Sequence, residues 1–328
     1  LHTPSNVLLY AHEYLRVIFG GILCTMAYNI AASILRSLGD SRTPLYFLIL
    51  SSFLNIVLDI FFIATLHMGT AGAAWATVLS QGISALLCFW YMFHNYNNLR
   101  LSIRDLYPDP YRILCMIQSG IPMALNQTVT AFGIMILQSG INQFGSSVMA
   151  AYTAASKLES LVMQPMIALG SGISTYCAQN IGARKTKRIF VGVRSTMLLS
   201  LGAAILGMAL YGIASKAILR IFLSDPSPEM VHYALQYLYT SVWFLLFLAW
   251  IFLFRNALVG LGNGLITIIG GVAELLCRFL CIHFLLQPFG FWCICLTNPI
   301  TWIVACSLFC GFYFRWEHQQ KHCSKSAR

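Results

Sequence analysis

Few side chains in this sequence are equipped for chemistry, and most of those stand inside long apolar runs. Asn55 and Asp59, in Leu54-Asn55-Ile56-Val57-Leu58-Asp59, are four residues apart and so share one helix face. Their amide and carboxylate oxygens suit a hard cation such as sodium. A lone carboxylate in a low-dielectric setting could instead carry a proton, and the bland use of the pair is an interhelical hydrogen bond. Lys157 and Glu159 are two apart, about 200° around a helix, so each needs water or a partner from another helix. Pro165, Gly170 and Gly172 follow and could bend that helix. Glu274 and Arg278 are spaced to pair, which most simply reads as a neutralised structural contact. Arg255 stands near a helix end, where its long stem lets the charge snorkel.

Other patterns carry less. Cys277/Cys281 and Cys306/Cys310 have helical spacing, but no matching His pair stands nearby to complete a metal clip. Cys inside apolar runs behaves as a small hydrophobe. His318, His322 and Cys323, in a polar tail, are as weak a metal set. There is no HExxH, no GxSxG and no intramembrane acidic dyad. Gly260-Leu261-Gly262-Asn263-Gly264 lacks the preceding strand that a nucleotide loop requires. The expectation is a protein that is not an enzyme and holds no cofactor beyond a coupling ion.

The elements that hold these residues follow from composition. Of 328 residues, 58% are hydrophobic and only 9% charged, and mean hydropathy is +0.73. Ordinary soluble domains are about a quarter charged, so a soluble enzyme, a disordered chain and a disulfide scaffold are all excluded. A bilayer-crossing helix needs about 20 apolar residues. Nine stretches qualify: 14–36, 44–66, 70–93, 119–142, 148–177, 189–213, 235–256, 264–286 and 290–314. Only 94–118 and 214–234 are long connections. The net charge of +10 does not point to nucleic acid, because thirteen Lys and Arg cluster in the loops and tail on one side of the spans. The excess of basic residues marks the cytoplasmic side, which puts the carboxyl terminus inside.

Residues 37–55 and 260–278 share a Leu-Gly-Asp/Asn turn at the cytoplasmic end of a span, 223 residues or six spans apart. An even number of spans between copies makes this a parallel repeat. It predicts an all-α polytopic membrane protein made of half a first six-helix lobe and a complete second lobe. The expected divisions are 1–93 (three helices of the first lobe), 94–118 (inter-lobe linker), 119–314 (second lobe) and 315–328 (basic cytoplasmic tail). Nine spans with the carboxyl terminus inside put Leu1 outside, without Met or a signal peptide. The expectation is that three helices precede it.

The stretch RSLGDSRTP, then NIVLD, GTAGAAWATVLSQ, AAYTAASKLESLVMQP, GSGISTYCAQNIGARKTKR and GFWCICLTNPITW resemble, in order, segments of the multidrug and toxic compound extrusion (MATE) family. The resemblance, to the bacterial branch related to DinF, covers about 13–314. It implies twelve helices in two lobes around a central cavity, which alternates between outward- and inward-open states and exchanges drug-like organic cations for sodium or protons. The family's first-lobe sodium ligands include an Asp on the first helix, an Asn and Asp four apart on the fifth, and a Thr on the sixth. These map to Asn55, Asp59 and Thr77, with the first-helix Asp falling before Leu1 and the site incomplete. Glu159, Glu274 and Arg278 resemble second-lobe polar positions without an assigned ligand role; Lys157 joins them as a polar candidate and Pro165 as a hinge. The implied setting is the plasma membrane, with small organic cations or drugs and lipid as partners, and a monomer when full length. A lipid-linked sugar flippase of the same wider fold and an inactive fragment or membrane scaffold are the competing expectations.

Overall fold

The computed structural model describes residues 5–96, 99, 107–222 and 227–326. All regular elements among them are helical, as hydrocarbon demands when a backbone must satisfy its own hydrogen bonds. Two compact units, Leu1–Pro108 and Asp109–Arg328, divide the chain. Seven described helical stretches are long and apolar enough to span a bilayer, or eight if one bent pair counts as a span. The remaining expected span, 148–177, lies in a 37-residue helix that carries Lys157 and Glu159, Ser146–Gly182.

The first unit contains α1 (Ser5–Gly20), α2 (Ile22–Ser37), α3 (Arg42–Ile60) and α4 (Gly69–Asn95). The span expected over 14–36 is two helices meeting at 47°. Gly21 marks the break, and its bare backbone lies so close to Val78 of α4 that a Cβ would collide. Helix α4 packs against the other three helices. Tyr28, Ala31, Ala32, Ala85 and Cys88 form the small core, and the Tyr28 hydroxyl donates to the Pro44 carbonyl at 3.0 Å. Asp40 starts α3 by accepting the Arg42 and Thr43 amides at 3.2 and 3.1 Å. Slight burial opposes its ionisation, but hydrogen bonds from Thr43 and Arg42 prevail and hold the carboxyl below its usual range.

The second unit contains α5 (Pro110–Ile141), α6 (Ser146–Gly182), α7 (Thr186–Phe222), α8 (Pro228–Ser241), α9 (Leu245–Gly260), α10 (Leu265–Leu280), α11 (Leu286–Phe289) and α12 (Phe291–Ser326). Helix α9 is apolar on nearly every face and sits against α6, α7 and α12, as expected for a helix hydrophobic all round. Helix α10 is inverted: Thr267, Gly270, Gly271, Glu274 and Arg278 form its buried stripe, while Leu265, Ile269, Leu276 and Leu280 are exposed. That is the amphipathicity of a helix whose outer solvent is lipid.

Three boundaries differ from the sequence expectation. The connection expected over 94–118 shrinks, because α4 runs to Asn95 and α5 resumes at Pro110. Asp109 caps α5 through the Tyr111 and Arg112 amides, with Pro110 in the first turn where a missing N–H costs nothing. The connection expected over 214–234 shrinks likewise, since α7 reaches Phe222 and Ser227 caps α8 through the Met230 amide. The expected basic tail 315–328 continues α12 as far as Ser326. Glu317, almost wholly buried, pairs with Lys321 one turn on and lies 3.5 Å from Arg194 of α7. The Trp316 ring beside it packs edge-on against Phe190 of α7.

The repeat at a shift of 223 is visible in backbone geometry. Leu38-Gly39-Asp40 ends α2 and Leu261-Gly262-Asn263 ends α9, with Gly39 at φ +92° and Gly262 at φ +83°. Asp40 N–H donates to the Leu35 carbonyl at 3.0 Å, and Asn263 N–H to Leu258 at 2.9 Å, the same bond displaced by the same shift. His67 and Gly290, again 223 apart, both have φ +53°. Each copy also passes from its helix into a wider π turn, at Phe61–Thr65 and Cys281–Leu285.

Two stability predictions follow from these close backbone fits. His67 holds a left-handed conformation that the second copy gives to glycine, so His67→Gly should stabilise the protein by about 0.5–1 kcal/mol, the steric relief exceeding the added chain entropy. Thermal unfolding in detergent checks this, and a lower Tm would contradict it. Gly260 sits where a Cβ would strike the Ser174 backbone of α6. Gly260→Val should therefore cost about 1–3 kcal/mol, whereas Gly212→Ala, with open space around it, should not destabilise. Equal Tm values for the two variants would contradict the close α6–α9 approach.

Candidate functional site

In the first unit, α3 carries Asn55 and Asp59 on the face toward α4, and α4 supplies Thr77. The Asn55 side-chain amide approaches the Thr77 hydroxyl at 3.5 Å, a long contact, while that hydroxyl donates to the Ala73 carbonyl at 3.0 Å. Asp59 Oδ1 is shut away from solvent and accepts no hydrogen bond among the described residues. A buried acceptor without a donor is costly, so this oxygen calls for a donor or a cation. The π turn begins two residues later, at Phe61; such widened turns recur at functional sites.

In the second unit, Lys157 and Glu159 face opposite ways, as their spacing requires: Lys157 is exposed and Glu159 is buried. Glu159 Oε2 accepts from the Tyr237 hydroxyl of α8 at 2.7 Å, and that same phenol oxygen accepts from the Asn298 amide of α12 at 2.9 Å. Tyr152 stacks edge-on against Tyr237 with ring centroids 5.0 Å apart. Sequence reasoning missed Tyr237, Asn298 and Tyr152. The available signal was Asn298 alone, an amide within the apolar run of α12.

Glu274 and Arg278 do approach each other, with Nη2 3.9 Å from Oε2 and both side chains buried. Gly133 of α5 makes room for the guanidinium, since a Cβ there would stand 2.6 Å from Arg278 Nη1. Arg255 is close enough to Glu274 to act on it electrostatically, and its guanidinium lies 5.2 Å from the Phe252 ring centre. Arg255 also lines a cavity of about 220 Å³ with Asn126, Gln127, Asn256 and Thr267. Pro165 lies inside α6 and borders a larger cavity, about 790 Å³, between α6 and α7.

Among the described residues, no group of three His, Cys, Asp or Glu side chains is arranged to hold a metal. Cys306 and Cys310 have their sulfurs 3.8 Å apart, and His318 and His322 their Nε2 atoms 3.0 Å apart. The Cys323 side chain lies outside the described residues.

Comparison with known proteins adds to this geometry. The model of the MatE family matches residues 1–61 and 122–289. The probable multidrug resistance protein YpnP of Bacillus subtilis is 32% identical over 238 residues, 73% of this chain and 53% of that protein. The probable multidrug resistance protein NorM of Thermotoga maritima is 28% identical over 66% of this chain and 47% of its own length. The chain thus spans about half the length of these curated relatives. The outward-facing structure of a multidrug resistance MATE family transporter of the MOP superfamily superposes with a TM-score of 0.87 at 22% identity, covering 98% of this chain and 72% of that one.

The Glu274–Arg278 pair yields a stability prediction. Removing one member of a buried pair strands the other charge. Arg278→Met should cost about 3 kcal/mol, the low end of the usual range, because Arg255 remains near Glu274. The double variant Glu274→Gln/Arg278→Met should recover most of that loss in thermal unfolding. A single variant as stable as the parent would contradict the pairing.

Proposed function

The chain belongs to the MatE family, and on that basis we propose that the protein is a secondary transporter exporting drug-like, often cationic organic compounds. It exchanges them for sodium or protons by alternating access. It sits in the plasma membrane as a multi-pass monomer with a cytoplasmic carboxyl terminus. The observation that carries this reading is Asp59: a carboxylate oxygen sealed from solvent without a donor among the described residues, on the helix face where Asn55 meets Thr77. A cation or proton at Asp59 neutralises that charge, and its release restores the cost, so occupancy biases which state of the transporter is stable. Asn55 and Thr77 supply further oxygens to the cation. Pro165 removes one backbone hydrogen bond from α6 and is the proposed hinge of that helix.

Two features favour this reading over its competitors. The relatives named above are multidrug resistance proteins, which supports transport rather than enzymatic chemistry. A flippase for pyrophosphate-linked sugars needs free basic groups, whereas Arg278 stands against Glu274 and Arg255 acts on the same carboxylate.

Asp59→Asn keeps the shape and removes the charge. In cells expressing the full-length protein, it should reduce ion-driven ethidium efflux to the level of cells without the protein, while membrane insertion is unchanged. Efflux at the parental rate would contradict the role of Asp59.

A further inference from the structure

Near the end of α12, two imidazoles converge on one point at the exterior. His318 and His322 stand four apart on the helix and are both exposed. Their Nε2 atoms are 3.0 Å apart, whereas the ring centroids are 4.4 Å apart, so the rings approach through these nitrogens. A neutral pair can share one Nε2–H···Nε2 hydrogen bond, but water would serve exposed nitrogens nearly as well. The separation suits another use. Metal–imidazole bonds are about 2.0–2.1 Å long. Two such bonds to nitrogens 3.0 Å apart enclose an angle of about 94°. That is close to the angle between neighbouring ligands of a square-planar or tetragonal ion.

Packing on the adjoining face holds the pair in place. Glu317 and Lys321, one position before each histidine, pair with each other. Glu317 lies 3.5 Å from Arg194 of α7, and Lys321 Nζ lies 5.3 Å from the Phe190 ring centre. The cation next to His322 in the chain is thus committed to the α7 contact. The turn carrying both histidines is already helical, so a ligand need not bear the cost of ordering it.

We propose that His318 and His322 form a two-histidine clip for a late first-row divalent ion, with Cu²⁺ bound more tightly than Zn²⁺. Imidazole suits both ions, and the general order of affinities puts copper first. Each Nε2 gives its lone pair to the ion. The histidine that carried its proton on Nε2 carries it on Nδ1 instead, so two neutral rings bind without net proton release. Among the described residues no third His, Cys, Asp or Glu joins the pair, and water or a small external ligand fills the other positions. The ion fastens the turn between the two histidines, at the end of α12 that docks on α7. No residue of the Asp59 site takes part, so the inference stands whether or not the protein transports.

Copper titration of the purified full chain in lipid nanodiscs, read by electron paramagnetic resonance, tests the clip. One equivalent of Cu²⁺ should give a spectrum split by two imidazole nitrogens. His318→Gln and His322→Gln should each raise the dissociation constant about 100-fold, the low end of what a second tethered contact adds. Each should also remove one nitrogen coupling. His318→Gln/Gln320→His keeps the number of histidines but sets them two apart, on opposite sides of the helix. Its binding should fall as far as in the single variants. All three variants change only exposed or half-buried side chains, so they should fold, and the parental spectrum is a test that needs no variant. A parental spectrum without imidazole coupling, or binding unchanged in these variants, would overturn the proposal.

Discussion

A polar group moved from water into hydrocarbon costs several kcal/mol, about 2–7 for an amide or hydroxyl, unless another part of the molecule answers it. That constraint shapes this protein from the backbone outward. It makes helices the regular elements described here, with apolar side chains turned out and the polar stripe of α10 turned in. It makes small residues valuable where helices meet, because close backbone approach supplies packing that lipid does not drive. Gly260 against Ser174 and Gly21 against Val78 are such contacts. It also makes any polar atom left unanswered conspicuous, and Asp59 and Glu159 both carry one.

The internal repeat sharpens the contrast between the two units. The position 223 residues after Asn55 is Arg278, and the position after Asp59 by the same shift is Ile282. One copy therefore sets a carboxylate, Asp59, one turn from an amide, Asn55, whereas the other carries an arginine, Arg278, set against Glu274. The shared backbone frame, with matching left-handed turns at Gly39 and Gly262, holds different charge chemistry in each copy. The proposed exchange of ions belongs to the copy that holds an amide, Asn55, where the other holds Arg278.

Much of this was legible in the sequence. Apolar runs announced the helices because lipid imposes both their length and their composition, and the Leu-Gly-Asp/Asn turns announced the repeat because a left-handed turn favours glycine. The Asn55–Asp59 face and the Glu274–Arg278 pair followed from spacing within single helices. Helix ends did not follow, since capping by Asp109 and docking of Glu317 against Arg194 extend α5 and α12 beyond their apolar runs. The Glu159–Tyr237–Asn298 cluster was hidden because its members come from α6, α8 and α12. No local pattern joins residues 78 and 61 positions apart; only packing does.

The central claim is that a cation or proton taken up at Asp59 is exchanged for the transported compound. The most direct measurement is the number of cations moved per substrate in proteoliposomes containing the full-length protein, read from the imposed sodium or proton gradient at which net substrate flux stops. The account predicts at least one cation per substrate for the parent protein and no coupling in Asp59→Asn. A parental flux indifferent to both gradients, or unchanged coupling in Asp59→Asn, would contradict it.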